Sequence, residues 1–179
     1  SLGGGLPRRT LMVSPQHHKL FGGPVVQEMF GEREVLALAK ALVGLKHIRT
    51  MNGRRAVTYY SLLCARHEVI MADGAWSESF YPGPTALTMI RPHLRREIED
   101  LFPALRTDPK TGYGPKVRMC LTRKETEALA NDLCARGLER ADDETATWNR
   151  EAAHHEWDQD LADEQAASVK RSQHLRLVS

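Results

Sequence analysis

The stretch Leu11-Met12-Val13-Ser14-Pro15-Gln16-His17-His18 ends a short apolar run in a hydroxyl and an imidazole three residues apart. The run reads as a strand and the Ser-Pro pair as the turn at its exit. A histidine beside a peptide bond can protonate a departing amide nitrogen. A hydroxyl close by can hydrogen-bond the same peptide and hold it in a strained geometry. Ser14 and His17 are therefore candidate catalytic residues. The plainer reading is a Ser-Pro turn whose His17 bonds to backbone, followed by a solvated His18.

Outward from this stretch, short β-favouring runs alternate with turn signals. Phe21-Gly22-Gly23-Pro24 marks a turn. Val35–Val43 is apolar and alanine-rich, and Leu36, Ala39, Ala41 and Leu42 fit a short helix as well as a strand. Asn52-Gly53 favours a tight hairpin. Ala56–Cys64 is rich in β-branched and aromatic residues and reads as a strand. His67–Ala72 reads as a second, and Asp73-Gly74 turns the chain at its end.

Pro82-Gly83-Pro84 ends this region and a helical pattern takes over. Leu94, Ile98, Leu101 and Phe102 fall at helical spacing, with Pro103 as the stop. Thr122 and Glu125 form a capping-box signature ahead of Ala128, Leu129 and Leu133, and Gly137 ends that helix. From Ala141 the chain is charged and alanine-rich, with Trp148, Trp157 and Leu161 too sparse for an apolar stripe. It reads as an exposed helix or a disordered tail. The expected fold is thus mainly β from Leu11 to Phe80, followed by an α-helical C-terminal region. The expected organisation is a β domain over 1–106, a linker and helix over 107–140, and a charged tail over 141–179.

The chain has 179 residues, 41% of them hydrophobic, enough for one domain with a real core. With 25 basic and 23 acidic residues the formal net charge is +2. No global field therefore draws it to nucleic acid or an anionic membrane. A DNA-binding helix over Thr122–Arg140 is further opposed by Glu125, Glu127, Asp132 and Glu139, because phosphate binding favours a surface of one sign. No run reaches the ~18–20 apolar residues of a membrane helix. Cys64, Cys120 and Cys134 lack Cys-x-x-Cys spacing and read as buried or semi-buried thiols. His154 and Asp158 supply two ligands at i and i+4, too few for a metal site. No cofactor or metal is expected, and the oligomeric state is left open.

Read together with Thr58–Phe80, the opening motif resembles the bacterial hedgehog/intein-type (Hint) domain over roughly Leu11 to Leu121. Ser14 and His17 fall on that family's Ser/Thr-x-x-His block. His67, Val69, Ile70, Ala72 and Gly74 fit its later strand-turn-strand block, and Glu78-Ser79-Phe80 followed by Pro82-Gly83 is typical of the bacterial branch. The resemblance implies autoprocessing, in which a cysteine or serine attacks the preceding carbonyl and converts the amide into a thioester or ester. It places His17 as proton donor, Ser14 as the group that polarises the bond, and His67 as an orienting residue or a structural hydrogen-bonder. The substrate would be the protein's own upstream polypeptide.

The family's nucleophile stands in an earlier block that has no counterpart before Ser14. The expectation is a C-terminal part of a Hint domain, fragment or relic, inactive without that nucleophile. The alternative is a non-catalytic protein-interaction module. Relatives of this kind are commonly parts of secreted or surface proteins. Asp73 and Glu78 are expected to be turn and edge charges, and Cys64 a core thiol.

Overall fold

A five-stranded sheet organises the protein, in a computed structural model that describes residues 10–52 and 57–138. The strands are β1 (His18–Gly22), β2 (Glu34–Leu38), β3 (Val69–Ala72), β4 (Ala75–Glu78) and β5 (Met119–Cys120), in the order β3-β4-β1-β2-β5. The helices are α1 (Pro24–Phe30), α2 (Pro84–Met89), α3 (Pro92–Leu101), α4 (Ala104–Thr107) and α5 (Arg123–Ala135). The architecture is therefore the partial β-fold followed by a helical region that the sequence led us to expect. The ambiguous Val35 run resolves into strand β2 and then a 3-10 turn at Ala39–Ala41.

An interior position explains β2. All five of its residues are buried, as befits a near-continuous apolar run flanked by strands on both sides. It pairs antiparallel with β1, Phe21 opposite Val35, and parallel with β5, Leu36 opposite Cys120. The connection from β1 to β2 holds α1, which begins at Pro24 and ends on Gly31 in the left-handed conformation at φ 72°. Phe21, Val25, Val26, Val35, Ala37, Leu42, Leu45, Leu121, Leu129 and Ala130 form the main core. Helix α5 closes it, and the buried Thr126 accepts a hydrogen bond from Leu38 N at 3.2 Å. Strand β5 and α5 thus belong to the same body as the N-terminal strands.

Local signals were realised closely. Thr122 Oγ1 accepts from Glu125 N at 3.3 Å, and Glu125 Oε2 accepts from Thr122 N at 2.7 Å, completing the capping box. Gly137, at φ 68°, follows the helix end. Asp73 and Gly74, at φ 51° and 84°, form the tight turn that joins β3 to β4 as a hairpin.

Other expectations are corrected. Leu11–Val13 is not a strand, because strand pairing begins only after the Ser14-Pro15 turn, at His18. Val57–Cys64 is not a strand either and is largely exposed, Tyr60 at 94%. It bonds with other segments through Phe80 N to Leu62 O at 2.7 Å and Tyr113 Oη to Cys64 O at 2.8 Å. High β-propensity without a neighbouring ladder does not make a strand. In α3, Ile98 packs into a second cluster around Leu87, Leu105 and Tyr113, joined by Phe102 just beyond the helix, whereas Leu94 and Leu101 stay exposed. Ala128 also faces solvent, and the buried face of α5 is Thr126, Leu129 and Ala130. Gly53 of the Asn-Gly turn, the histidine cluster at 154–158 and the charged tail lie outside the described residues.

Candidate functional site

The antiparallel pairing of β1 with β4 sets Lys19 directly opposite Ser77. Their side chains therefore share a face, and Lys19 Nζ donates to Ser77 Oγ at 3.0 Å. One turn upstream, Ser14-Pro15-Gln16-His17 forms a tight turn in which His17 N donates to Ser14 O at 3.0 Å. The turn swings the His17 ring back over the strand end, where Nε2 makes a short hydrogen bond with the same Ser77 hydroxyl. Ser77 is 1% exposed. The site is thus built where the first strand begins and the hairpin strand ends.

Glu78 is its hub. Oε1 accepts from both the backbone N and the Nδ1 of His18, each at 2.8 Å. Oε1 also lies 3.9 Å from His17 Nδ1. On its other side, Oε2 lies 3.5 Å from the buried His67 Nε2, which makes no hydrogen bond among the described residues. His67 Nδ1 accepts from Val117 N at 3.2 Å, so the neutral ring carries its hydrogen on Nε2, facing Glu78. The edge of Tyr81 against His67, with ring centroids 5.2 Å apart, and a Tyr81 Oη bond to Gly114 O at 3.0 Å complete that wall.

Burial and charge pull these groups away from their usual ionisation. Desolvation lowers the His17 imidazole from 6.5 to about 4, Glu78 pulling the other way and Lys19 and His18 adding to the drop. Desolvation likewise lowers the Lys19 ammonium from 10.5 to about 8, partly opposed by Glu78. Burial would raise Glu78, but the hydrogen bond from His18 and the attraction of His67 and His17 outweigh it and bring the carboxyl from 4.5 to about 2. At neutral pH the site holds a carboxylate, a strained ammonium and a neutral His17. Such an imidazole can accept a proton and return it, with a carboxylate near enough to favour the transient cation. Ser77, although it touches His17, is too enclosed to attack an external carbonyl.

Of the residues singled out from sequence, the structure brings His17 and His67 to one carboxylate and keeps Ser14 apart. The exposed Ser14 Oγ accepts from Gln16 N at 3.3 Å and serves the turn. His18 is corrected from a solvated residue to a buried-side hydrogen bonder of Glu78. Glu78 is corrected from an edge charge to the buried hub. Lys19 and Ser77 were missed. A lysine directly before Leu20 and Phe21 in a strand-like run was the available signal. Cys64, Cys120 and Cys134 are half-buried, and burial pushes the Cys120 thiol up. Among the described residues no group of three or more His, Cys, Asp or Glu is arranged to hold a metal ion. No described helix is long and apolar enough to cross a membrane.

Comparison with protein families matches residues 1–84 to the Hint domain. That segment contains Ser14, His17, Lys19, His67, Ser77 and Glu78. No curated protein and no solved structure matches the chain.

Proposed function

We propose, from the match of residues 1–84 to the Hint domain, that this site rearranges a peptide bond of its own polypeptide, with His17 as the proton carrier. The observation that carries this reading is a half-buried imidazole kept neutral, at about 4, beside a carboxylate 3.9 Å away. In an N-to-S or N-to-O acyl shift, a thiol or hydroxyl of the upstream polypeptide attacks the carbonyl before it. As the carbon-nitrogen bond breaks, His17 gives its ring hydrogen to the amide nitrogen, and the nucleophile's proton, released as the carbon-sulfur or carbon-oxygen bond forms, replaces it on the ring, leaving a thioester or ester and a free amine.

Glu78 favours the positive charge that the ring takes on during this exchange, and its second oxygen lies 3.5 Å from His67 Nε2. Ser14 Oγ accepts from Gln16 N and keeps its own hydrogen for the carbonyl oxygen of the scissile peptide. Without an upstream nucleophile the same groups have no bond to rearrange.

The test tracks the intact mass of the natural polypeptide containing this chain, with and without added thiol or hydroxylamine. Time-dependent fragments whose masses sum to the parent, and their loss in His17→Ala, are expected. A constant mass, or the same fragments from His17→Ala, would refute the reading. A second reading, a non-catalytic protein-interaction module, draws on Tyr60, Leu62 and Met71, exposed at 94%, 63% and 57%. Constant mass together with specific retention of a partner, abolished by Tyr60→Ala, would favour it.

A further inference from the structure

The most enclosed hydroxyl at the site has two partners and one hydrogen, and the identity of those partners fixes where that hydrogen goes. Lys19 Nζ, 3.0 Å from Ser77 Oγ, has only donors while it is an ammonium. Ser77 must then accept from Lys19, and its own hydrogen is left for its other partner, His17 Nε2. A nitrogen that accepts carries no hydrogen in the neutral ring, so the His17 proton sits on Nδ1.

We propose that Ser77 is a positioning residue for His17, taking a hydrogen bond from Lys19 and giving one to Nε2, so that the ring is held as its Nδ1–H tautomer. This rests on the reading of His17 as proton carrier and says which ring edge does the work. Nε2 is tied to the protein, whereas Nδ1 makes no hydrogen bond among the described residues and faces Glu78 Oε1 at 3.9 Å. The hydrogen offered to a departing amide nitrogen is therefore the one on Nδ1.

Four ionisable neighbours among the described residues agree with this arrangement. On β1, Lys19 supplies the donor and His18 occupies Glu78 Oε1 through its own Nδ1. On β4, Glu78 attracts the Nδ1 hydrogen of His17. From the segment before β3, His67 faces the remote oxygen Oε2 and leaves Oε1 to the other two rings. The pairing of Lys19 with Ser77 across β1 and β4 keeps donor and hydroxyl in register, so the orientation is a property of the sheet.

Ring-nitrogen NMR of the 15N-labelled chain at pH 7, with His17 assigned by comparison with His17→Gln, reads the tautomer directly and needs no catalysis. The wild type should show hydrogen on Nδ1 and a bare Nε2. Ser77→Ala should move the population toward the Nε2–H form that solvated histidine favours. It should also raise the His17 midpoint from about 4 by roughly one pH unit, the worth of one lost hydrogen bond to the neutral ring.

Lys19→Met leaves the serine hydroxyl free to rotate and should mix the two tautomers, which provides a second arm if Ser77→Ala does not fold. A wild-type ring protonated on Nε2, or an unchanged tautomer in a folded Ser77→Ala or Lys19→Met chain, would overturn the proposal. A ring with the expected tautomer in a polypeptide of constant mass would sink the autoprocessing reading and leave the role of Ser77 standing.

Discussion

Replacing Glu78 with glutamine keeps the shape of the hub and removes its charge. Each pH unit by which a carboxyl is held below its usual value corresponds to about 1.4 kcal/mol of preference for the charged form in the folded state. Holding Glu78 at about 2 instead of 4.5 therefore contributes about 3 kcal/mol at neutral pH. Burial works against this charge, and the 2.8 Å bond from His18 Nδ1 together with the nearby His67 and His17 rings outweighs it. The folded-state value lies below the unfolded one, so this stability is complete above pH 4.5 and is lost as the pH falls from 4.5 towards 2. Denaturant unfolding of wild type and Glu78→Gln across pH 2–7 measures it. We expect Glu78→Gln to be less stable by about 3 kcal/mol at pH 7, with the gap closing below pH 4.5. A gap under about 0.5 kcal/mol at pH 7, or one that persists undiminished at pH 2, would refute the assignment of Glu78 as a buried charged hub.

Two further substitutions probe the surroundings. Lys19 is 4% exposed and its ammonium is lowered to about 8, so keeping it charged costs stability at neutral pH, and wild-type stability should rise as pH climbs from 8 to 10.5. Lys19→Met should remove that rise and stabilise the chain at pH 7 by roughly 1–3 kcal/mol, read in the same unfolding assay. Less stability at pH 7 would show that the attraction to Glu78 exceeds the desolvation cost. Thr122→Ala removes the side-chain acceptor of the capping box. It should cost about 1 kcal/mol, or a melting temperature lower by about 2–4 °C. An unchanged melting curve would mean that α5 is held by its core face alone.

Much of the polar chemistry was legible as residue types and almost none of it as partnerships. His17 and His67 could be singled out because a histidine at a turn is conspicuous in one dimension. Their common partner could not, because Glu78 follows Ser77 in a hairpin strand whose neighbour β1 lies about 60 residues away in the chain. Acidic side chains are solvated unless something covers them, so Glu78 was read as an edge charge. Val57–Cys64 fails in the opposite direction. Its composition suits a strand, yet a strand exists only where a second backbone lies alongside.

The sequence by itself determined what depends on neighbours within a few residues. The Thr122–Glu125 box and the Asp73-Gly74 turn are of this kind, because their hydrogen bonds and torsional limits close inside one turn of chain. Tertiary structure alone decided which carboxylate is buried, which lysine is strained and which nitrogen of His17 is left free. Those outcomes depend on how much water is excluded and which strand lies opposite, and both are set by the register of β1 against β4.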